Sequence, residues 1–395
     1  MRNELYGTAL LALSIAASGV AAHAEDAVKI GVVLPLSGPF SPAGVEIANG
    51  IKTYLKVHGS EAGGRRLEVI IRDDGGIADA SKRISQELLT NEHVAVLAGY
   101  GLTPLAISAA PLATQARVPQ VLMSAATGDL TTKSPYTVRV FETMAQVAYG
   151  MSSWAGKNSL RKVVTMVADY GPGIDAEQAF KKGFEKVGGT VVESIRVPLN
   201  AMDFGPYLQR ASDSRPDAIY VFEPEGPAAI LIRQYNERGL AKAGIRFIGS
   251  GDFLDEETID AGNAAFAAGI LTSQVYTATH TSPENDSFVA AYKGVSGGTR
   301  PNVMGTSGYD GMYLIAHALE RTGGKTDGPA LVEAMKGTAW KSPRGDIHID
   351  PATRDIVQNV YVREVKASAD GRVDNVEVAT IPAVRPDPYA AVPQN

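Results

Sequence analysis

The chain has 395 residues, a formal net charge of −6, 45% hydrophobic residues and no cysteine. Its charges are mixed, without a lysine- or arginine-rich run, which argues against nucleic acid or an anionic membrane surface as a partner. The lack of cysteine excludes disulfides and thiolate chemistry. Because one hydrophobic core rarely exceeds about 250–300 residues, the length predicts two domains.

The first 24 residues have the pattern of a cleavable signal peptide. Arg2 lies in a short polar start, an apolar stretch without charges covers residues 10–20, and Ala22-His23-Ala24 has the small-x-small form of a cleavage site. The apolar stretch is shorter than the roughly 20 residues of a membrane-spanning helix. We therefore predict export, a mature chain from Glu25 and, in a Gram-negative source, a periplasmic location without membrane insertion.

Short apolar segments then alternate with helical patterns as far as Gly249, which is typical of a parallel sheet covered by helices. The predicted class is α/β. The predicted strands are Val28–Leu34, Leu67–Arg72, Val94–Ala98, Val118–Met123, Val163–Ala168, Thr190–Val197 and Ala218–Phe222. Thr137–Phe141 and Gly269–Tyr276 are extended segments where the chain is expected to pass between domains. The tail from Pro382 onward is expected to be extended and partly mobile.

Enzymatic and metal chemistry lack their usual residue patterns. The six histidines are never at metal-ligand spacing, and neither a nucleophile elbow nor a phosphate-binding loop occurs. The acidic runs Asp73-Asp74 and Asp255-Glu256-Glu257 are interpreted as solvated turns and helix caps. We expect no catalytic residue, no metal ion and no cofactor.

Small and hydroxyl residues follow three predicted strands, in the loops 35–40, 99–104 and 124–128. Open α/β sheets bind ligands at the carboxyl ends of their strands. Free N–H groups at the start of the following helices, together with a hydroxyl, favour a small anion such as a carboxylate. The alternative is that Thr103 and Thr127 only cap their own helices.

In the second half, Asp169-Tyr170-Gly171-Pro172-Gly173 and Phe222-Glu223-Pro224-Glu225 also follow strands and precede helices. Tyr170 offers an apolar face and a hydroxyl that suit it to covering a ligand, although such a tyrosine is as often a surface residue. Asp252 follows the predicted strand end at residues 247–251 and is a further candidate at the same sheet edge.

The segment Val28–Gly38 resembles the opening of the branched-chain amino-acid type of periplasmic binding proteins of ABC transporters. The resemblance continues through Val118–Thr127, Asp169–Gly173 and Tyr309-Asp310-Gly311, and covers essentially the whole mature chain. It implies the type I periplasmic binding protein fold, in which two Rossmann-like lobes joined by a three-segment hinge close around a ligand. The predicted lobes are residues 25–139 with 273–325, and residues 140–272 with 326–395.

The resemblance also implies roles for single residues. Thr103 matches the hydroxyl that binds the ligand carboxylate, Ala126 and Thr127 complete that pocket, and Tyr170 matches the aromatic residue from the second lobe. The family's acidic ammonium-binding residue falls at Gly251 or Asp252, and its aromatic residue near Pro224 or Glu225 is missing. The predicted ligand-binding set is Thr103, Ala126, Thr127, Tyr170, Phe40, Tyr100, Leu102, Ser124, Glu223 and Asp252, with Phe40 and Tyr100 against an aromatic ring.

The runs 342–346 and 353–359 are similar to those of family members that bind benzoate-type acids. The resemblance therefore implies a monomeric, non-enzymatic solute-binding protein that delivers a small carboxylate, preferably an aromatic acid, to an ABC permease and ATPase. A branched-chain or other aliphatic amino acid is the alternative ligand, favoured if Asp252 points into the cleft. A ligand-sensing receptor module is the alternative role, and a hydrolase would need a nucleophile and base that the sequence does not offer.

Overall fold

The computed structural model describes residues 27–224, 227–367 and 372–390. The predicted signal peptide, residues 1–24, and Glu225 lie outside the described residues. In the described part, no helix combines the length and the hydropathy that crossing a membrane requires.

Lobe 1, as we call the half containing the first sheet, has six strands in the order β2-β3-β1-β4-β5-β6. All neighbours are parallel except the β2–β3 pair. The strands are β1 (Val28–Leu34), β2 (Glu61–Ala62), β3 (Arg65–Asp73), β4 (Val96–Gly99), β5 (Gln120–Leu122) and β6 (Thr137–Arg139), and the helices are α1 (Ser41–His58), α2 (Ala78–Thr90) and α3 (Thr103–Ala116). A short 3-10 helix, Leu130–Thr132, precedes β6.

Lobe 2, the half containing the second sheet, has the strand order β12-β13-β14-β11-β10-β9-β7-β8, with β15 paired to β14. Strands β7 to β11 are parallel and β12 to β15 pair antiparallel. In chain order its first elements are α4 (Met144–Lys157), β7 (Lys162–Ala168), α5 (Gly171–Lys186), β8 (Thr190–Val197), α6 (Gly205–Asp213), β9 (Ala218–Phe222), α7 (Pro227–Glu237) and β10 (Arg246–Ser250). Short helical turns follow at Gly251–Phe253, α8 (Glu256–Thr258), Ile259–Asn263 and α9 (Ala264–Ala267), and lead to β11 (Leu271–Gln274).

The chain passes between the lobes three times, after β6, after β11 and before β12. Helices α10 (Pro283–Ser296) and α11 (Val303–Arg321) pack on α1 of lobe 1, and α12 (Gly328–Met335) packs on α11. The last strands, β12 (Ala339–Ser342), β13 (Gly345–Ile349), β14 (Ile356–Ala367) and β15 (Val373–Val384), return to lobe 2. The α/β class with two sheet-based lobes is confirmed. The exact lobe limits stay a prediction, and α12, which they assign to lobe 2, lies against a lobe 1 helix.

The segment after β15 is held on lobe 2, whereas the sequence predicts a partly mobile tail. The carbonyl of Pro386 accepts a hydrogen bond from Thr143 Oγ1 at 2.6 Å. The hydroxyl of Tyr389 donates to the carbonyl of Ala179 at 2.7 Å, and the ring packs edge-on against Tyr149. A tail rich in proline and alanine is thus anchored by one aromatic residue and by backbone carbonyls.

Candidate ligand-binding site

A pocket lies between the two lobes, where the carboxyl ends of their parallel strands meet. Such a crevice is the usual ligand site of open α/β sheets. It is lined by Phe40, Ala43, Gly101, Leu102, Thr103, Ser124, Ala125, Ala126, Phe141, Tyr170, Pro172, Phe222, Pro224 and Met304. Six of the ten residues predicted to bind ligand therefore lie on one pocket: Phe40, Leu102, Thr103, Ser124, Ala126 and Tyr170.

One end of the pocket is polar, and none of the described residues that line the pocket has a basic side chain. Thr103 is buried, and its Oγ1 lies 3.0 Å from Oγ1 of Thr127. Ser124 donates its hydroxyl to the carbonyl of Gly101 at 2.9 Å, which ties two of the predicted loops together. Among the described residues, the backbone N–H groups of Ala126 and Thr127 donate to no protein atom. Unpaired donors of this kind suit a carboxylate.

Two long helices begin at the pocket from opposite lobes. Helix α3 starts at Thr103 and α5 starts at Gly171, and neither has a side-chain cap at its N-terminus. The Thr103 hydroxyl contacts Thr127 rather than a backbone N–H group of its own helix. The interpretation of Thr103 as a simple helix cap is therefore wrong. The positive ends of two helix dipoles add to the attraction for an anion.

The rest of the pocket wall is aromatic and aliphatic. The rings of Tyr170 and Phe222 lie 6.0 Å apart at an angle of 31°, both in lobe 2. Phe141 is buried in the first passage between the lobes, and Phe40 lies at the start of α1. Flat apolar walls opposite a polar end fit a ligand with an apolar body and one charged group.

Glu223 lies between the pocket-lining residues Phe222 and Pro224 and is 1% exposed. Its Oε1 has no hydrogen-bond partner within the described part of the chain. Burial raises the pKa of this carboxyl to about 8, because water no longer stabilises the charged form. Near neutral pH the Glu223 side chain is therefore largely protonated and uncharged.

The sequence predicts that Tyr100 contacts the ligand, but the structure places its side chain away from the pocket. It is fully buried with Leu105 and Leu122 on the side of the sheet that α2 and α3 cover, and its hydroxyl lies 3.0 Å from Ser85 Oγ. The cause is the backbone: Gly99 and Tyr100 both have positive φ, at 101° and 67°, which turns the side chain away from the cleft. The side chain of Asp252 lies outside what the structure describes.

Two hydrogen bonds connect the lobes on either side of the pocket. The N–H of Gly128 in lobe 1 donates to Asp175 Oδ2 on α5 at 2.8 Å. The Nδ2 of Asn302, at the start of α11, donates to Asp255 Oδ2 of lobe 2 and to Glu46 Oε2 of α1, both at 2.5 Å. The described structure is thus a form in which the lobes touch around the pocket.

Several acids predicted at the surface are buried instead. Asp74 is 2% exposed and accepts a hydrogen bond from Ser81 Oγ at 2.5 Å. Asp255 is 2% exposed and caps α8 through the N–H of Thr258. Glu256 is 1% exposed and accepts from Thr277 Oγ1. Each acid also accepts a hydrogen bond from a residue outside its own turn, namely Ser81 for Asp74, Asn302 for Asp255 and Thr277 for Glu256, which local sequence patterns do not reveal. In the described chain, no group of such side chains has the arrangement of a metal site.

Sequence reasoning missed part of the pocket wall. Phe141 and Phe222 are the last residues of predicted extended segments. The rule that ligands bind at the carboxyl ends of strands, which selected Thr103, therefore also applies to them. Met304 comes from α11, which is distant in sequence, and no local pattern indicates it.

Residues 27–372 match the family described as Periplasmic binding protein, and the chain belongs to that family. The Leu/Ile/Val-binding protein homolog 6 of Brucella melitensis is 42% identical over 376 residues, which cover 94% of this chain and 95% of that protein.

Two solved structures are also similar. One is a solute-binding protein of an ABC transporter from Rhodopseudomonas palustris BisB5 in complex with 3,4-dihydroxybenzoic acid, with 48% identity, a TM-score of 0.88 and coverage of 91% of this chain and 99% of that one. The other is a solute-binding protein from R. palustris HaA2 in complex with p-hydroxybenzoic acid, with 40% identity, a TM-score of 0.88 and coverage of 92% and 100%.

Proposed function

We propose that this protein binds a small aromatic acid of the benzoate type between its lobes and delivers it to an ABC importer. The observation that carries the proposal is the composition of the pocket. The hydroxyl of Thr103, in contact with that of Thr127, and unpaired N–H groups form a polar end, the described lining residues include no basic side chain, and aromatic rings form the walls. A benzoate has this division into a carboxylate and a flat apolar ring.

The similar structures support the same ligand class. The R. palustris proteins in complex with 3,4-dihydroxybenzoic and p-hydroxybenzoic acid align over more than nine-tenths of this chain. A ring hydroxyl on the ligand is compatible with the protonated carboxyl of Glu223 beside the pocket, since that group donates and accepts hydrogen bonds.

A branched-chain amino acid is the second candidate, because the Brucella relative is named as a Leu/Ile/Val-binding protein homolog. An amino acid needs a partner for its ammonium group. Glu223 is a poor one, since burial favours its uncharged form. This candidate therefore depends on Asp252 pointing into the cleft.

The proposed setting is that of the family. The mature protein acts in the periplasm after removal of residues 1–24, as a monomer, without catalysis, and its partners are a permease and an ATPase. A sensor role is the alternative. Deletion of the gene should abolish uptake of radiolabelled 4-hydroxybenzoate if the protein serves import, and should leave uptake intact while abolishing induction by the compound if it serves sensing.

The ligand class is tested by thermal denaturation of the mature protein after unfolding, dialysis and refolding to remove bound ligand. The panel contains benzoate, 4-hydroxybenzoate, 3,4-dihydroxybenzoate, phenylpropanoid acids and the twenty amino acids. A ligand at 100 times its Kd stabilises the native state by about 2.7 kcal/mol. A rise in Tm with the benzoates alone supports the proposal, and a rise with leucine, isoleucine or valine alone rejects it in favour of amino-acid binding.

A further inference from the structure

Arg139, the last residue of β6, is 0% exposed and lies behind the loop formed by residues 124–128. Its Nη1 donates to the carbonyls of Thr127 at 2.6 Å and Ala125 at 3.3 Å, and its Nη2 donates to the carbonyl of Gly128 at 3.3 Å. One guanidinium thus binds three of the loop's carbonyls. It does not line the pocket.

The carbonyls that Arg139 binds determine where the loop's N–H groups point. The C=O and N–H of one peptide unit lie in one plane and point in opposite directions. The carbonyl of Ala125 shares its peptide unit with the N–H of Ala126, which donates to no atom of the described residues. The carbonyl of Thr127 shares its unit with the N–H of Gly128, which donates to Asp175 across the cleft. Arg139 therefore orients one donor beside the pocket and one donor that joins the lobes.

Arg139 is itself fixed by the loop between β13 and β14. Its Nε donates to Asp355 Oδ1 at 2.6 Å, and its backbone N–H donates to the carbonyl of Arg354 at 3.0 Å. Asp355 is 3% exposed, and its second oxygen accepts from Thr131 Oγ1 at 3.0 Å. This carboxylate balances the charge of Arg139, so the guanidinium acts on the loop through hydrogen-bond geometry rather than through net charge.

We propose that Arg139 is a positioning residue of the ligand site: by binding the carbonyls of Ala125, Thr127 and Gly128 from behind, it holds the loop's N–H groups in the directions that the ligand carboxylate and Asp175 require. This inference rests on the proposed function, because it assumes a carboxylate at the polar end of the pocket. It also explains how a pocket whose described lining residues include no basic side chain would bind an anion: the arginine supports the donors instead of contacting the ligand.

The test compares Arg139→Lys with Arg344→Lys. Lysine keeps the charge beside Asp355 but cannot span three carbonyls. Arg344 is a matched control, since it is also 0% exposed and pairs with a buried aspartate, Asp310, at 2.8 Å. The Kd for 4-hydroxybenzoate is measured by calorimetry. The amide signals of Ala126 and Gly128 are followed by NMR in protein labelled with ¹⁵N-alanine and ¹⁵N-glycine.

We expect Arg139→Lys to weaken binding of 4-hydroxybenzoate about tenfold, as for loss of one well-oriented hydrogen bond to a charged group, and to shift both amide signals in the ligand-free protein. Arg344 binds the carbonyl of Val140 and is not bonded to the carbonyls of Ala125, Thr127 or Gly128, so Arg344→Lys should leave both amide signals in place. The inference is overturned if the Kd of Arg139→Lys stays within twofold of wild type, or if it rises while both amide signals stay unchanged.

Two further measurements cover the cases in which Arg139→Lys does not fold or the wild-type protein binds no benzoate. If Arg139→Lys does not unfold cooperatively, Asp355→Asn, which removes the charge that holds Nε, is judged by the same two criteria with a smaller expected change in Kd, about threefold. If the wild-type protein binds no benzoate, the proposed function fails, whereas the amide signals of the variants still decide whether Arg139 orients the loop.

Discussion

Thr103 is the residue in which the polar end of the pocket can be tested most directly. Thr103→Val keeps the shape of the side chain and removes the hydroxyl that meets Thr127. Loss of a hydrogen bond to a charged ligand group should weaken 4-hydroxybenzoate binding about tenfold, measured by calorimetry. Thr114→Val on the same helix is the control, because that hydroxyl bonds to Ala110 and Ser134 away from the pocket. Equal Kd values for both variants would contradict the assignment.

The raised pKa of Glu223 predicts how the free energy of unfolding depends on pH. The folded protein retains the proton of this carboxyl up to about pH 8, whereas the unfolded chain releases it near the ordinary value of 4.5. The folded state therefore binds more protons between these values, and the free energy of unfolding falls as the pH rises from about 5 to 8. Glu223→Gln removes this contribution, which is on the order of 3 kcal/mol over that range.

The measurement is denaturant unfolding of wild type and Glu223→Gln at pH 5, 6.5 and 8. Contributions from other groups cancel in the difference between the two proteins. Glu237→Gln, an exposed residue at the end of α7, is the control and should follow the wild-type curve. Parallel curves for wild type and Glu223→Gln would show that the carboxyl titrates alike in both states.

At the scale of single residues, the sequence located the site well wherever the backbone follows the strand–loop–helix rule. Thr103, Ser124 and Ala126 follow β4 and β5, and all three line the pocket. Tyr100 does not line the pocket, because the positive φ angles of Gly99 and Tyr100 turn its side chain away from the cleft. No residue pattern predicts a tyrosine in that backbone conformation. Arg139 was not identified either, since its role comes from carbonyls that only the folded loop brings together.

At the scale of elements, apolar runs predicted the strands' existence better than their ends. The limits of β1, β8 and β9 agree with the prediction. Strand β5 is shorter than the predicted Val118–Met123, because the N–H of Val118 bonds back to Ala113 at the end of α3 instead of joining the sheet. A hydrogen bond that ends a helix in this way competes with sheet pairing, and the spacing of apolar residues does not reveal it.

Helices α1 and α11 cross closely enough for one glycine to be required. A Cβ added to Gly50 would lie 1.9 Å from the carbonyl oxygen of Gly305, a backbone atom that cannot move aside. Gly50→Ala should therefore lower the free energy of unfolding by about 3 kcal/mol, as overpacking does. Gly294→Ala in the exposed part of α10 meets only the flexible end of Lys56 and should stay within about 1 kcal/mol of wild type. Urea unfolding compares the two, and equal losses would contradict the close crossing.

At the scale of the whole molecule, the two-lobed design followed from length, strand alternation and family resemblance. The contacts that hold the lobes together could not be predicted from the sequence. Asp175 and Asp255 belong to lobe 2 and bond to Gly128 and Asn302 of lobe 1. Such pairs are more than 40 residues apart in sequence, and nothing in either segment marks a partner. Only the arrangement of the lobes around the pocket brings them within hydrogen-bond distance.

The bond between Gly128 and Asp175 predicts how closure contributes to affinity. A contact made only when the lobes touch stabilises the ligand-bound form relative to an open one, and so lowers the Kd. Asp175→Ala leaves the Gly128 N–H without its acceptor in the closed form, which should weaken 4-hydroxybenzoate binding about three- to tenfold, mainly through faster dissociation. Stopped-flow fluorescence measures the rate, and Glu185→Ala, exposed on the same helix, should leave it unchanged. If Asp175→Ala released the ligand no faster than Glu185→Ala, this contact would contribute nothing to holding the lobes closed.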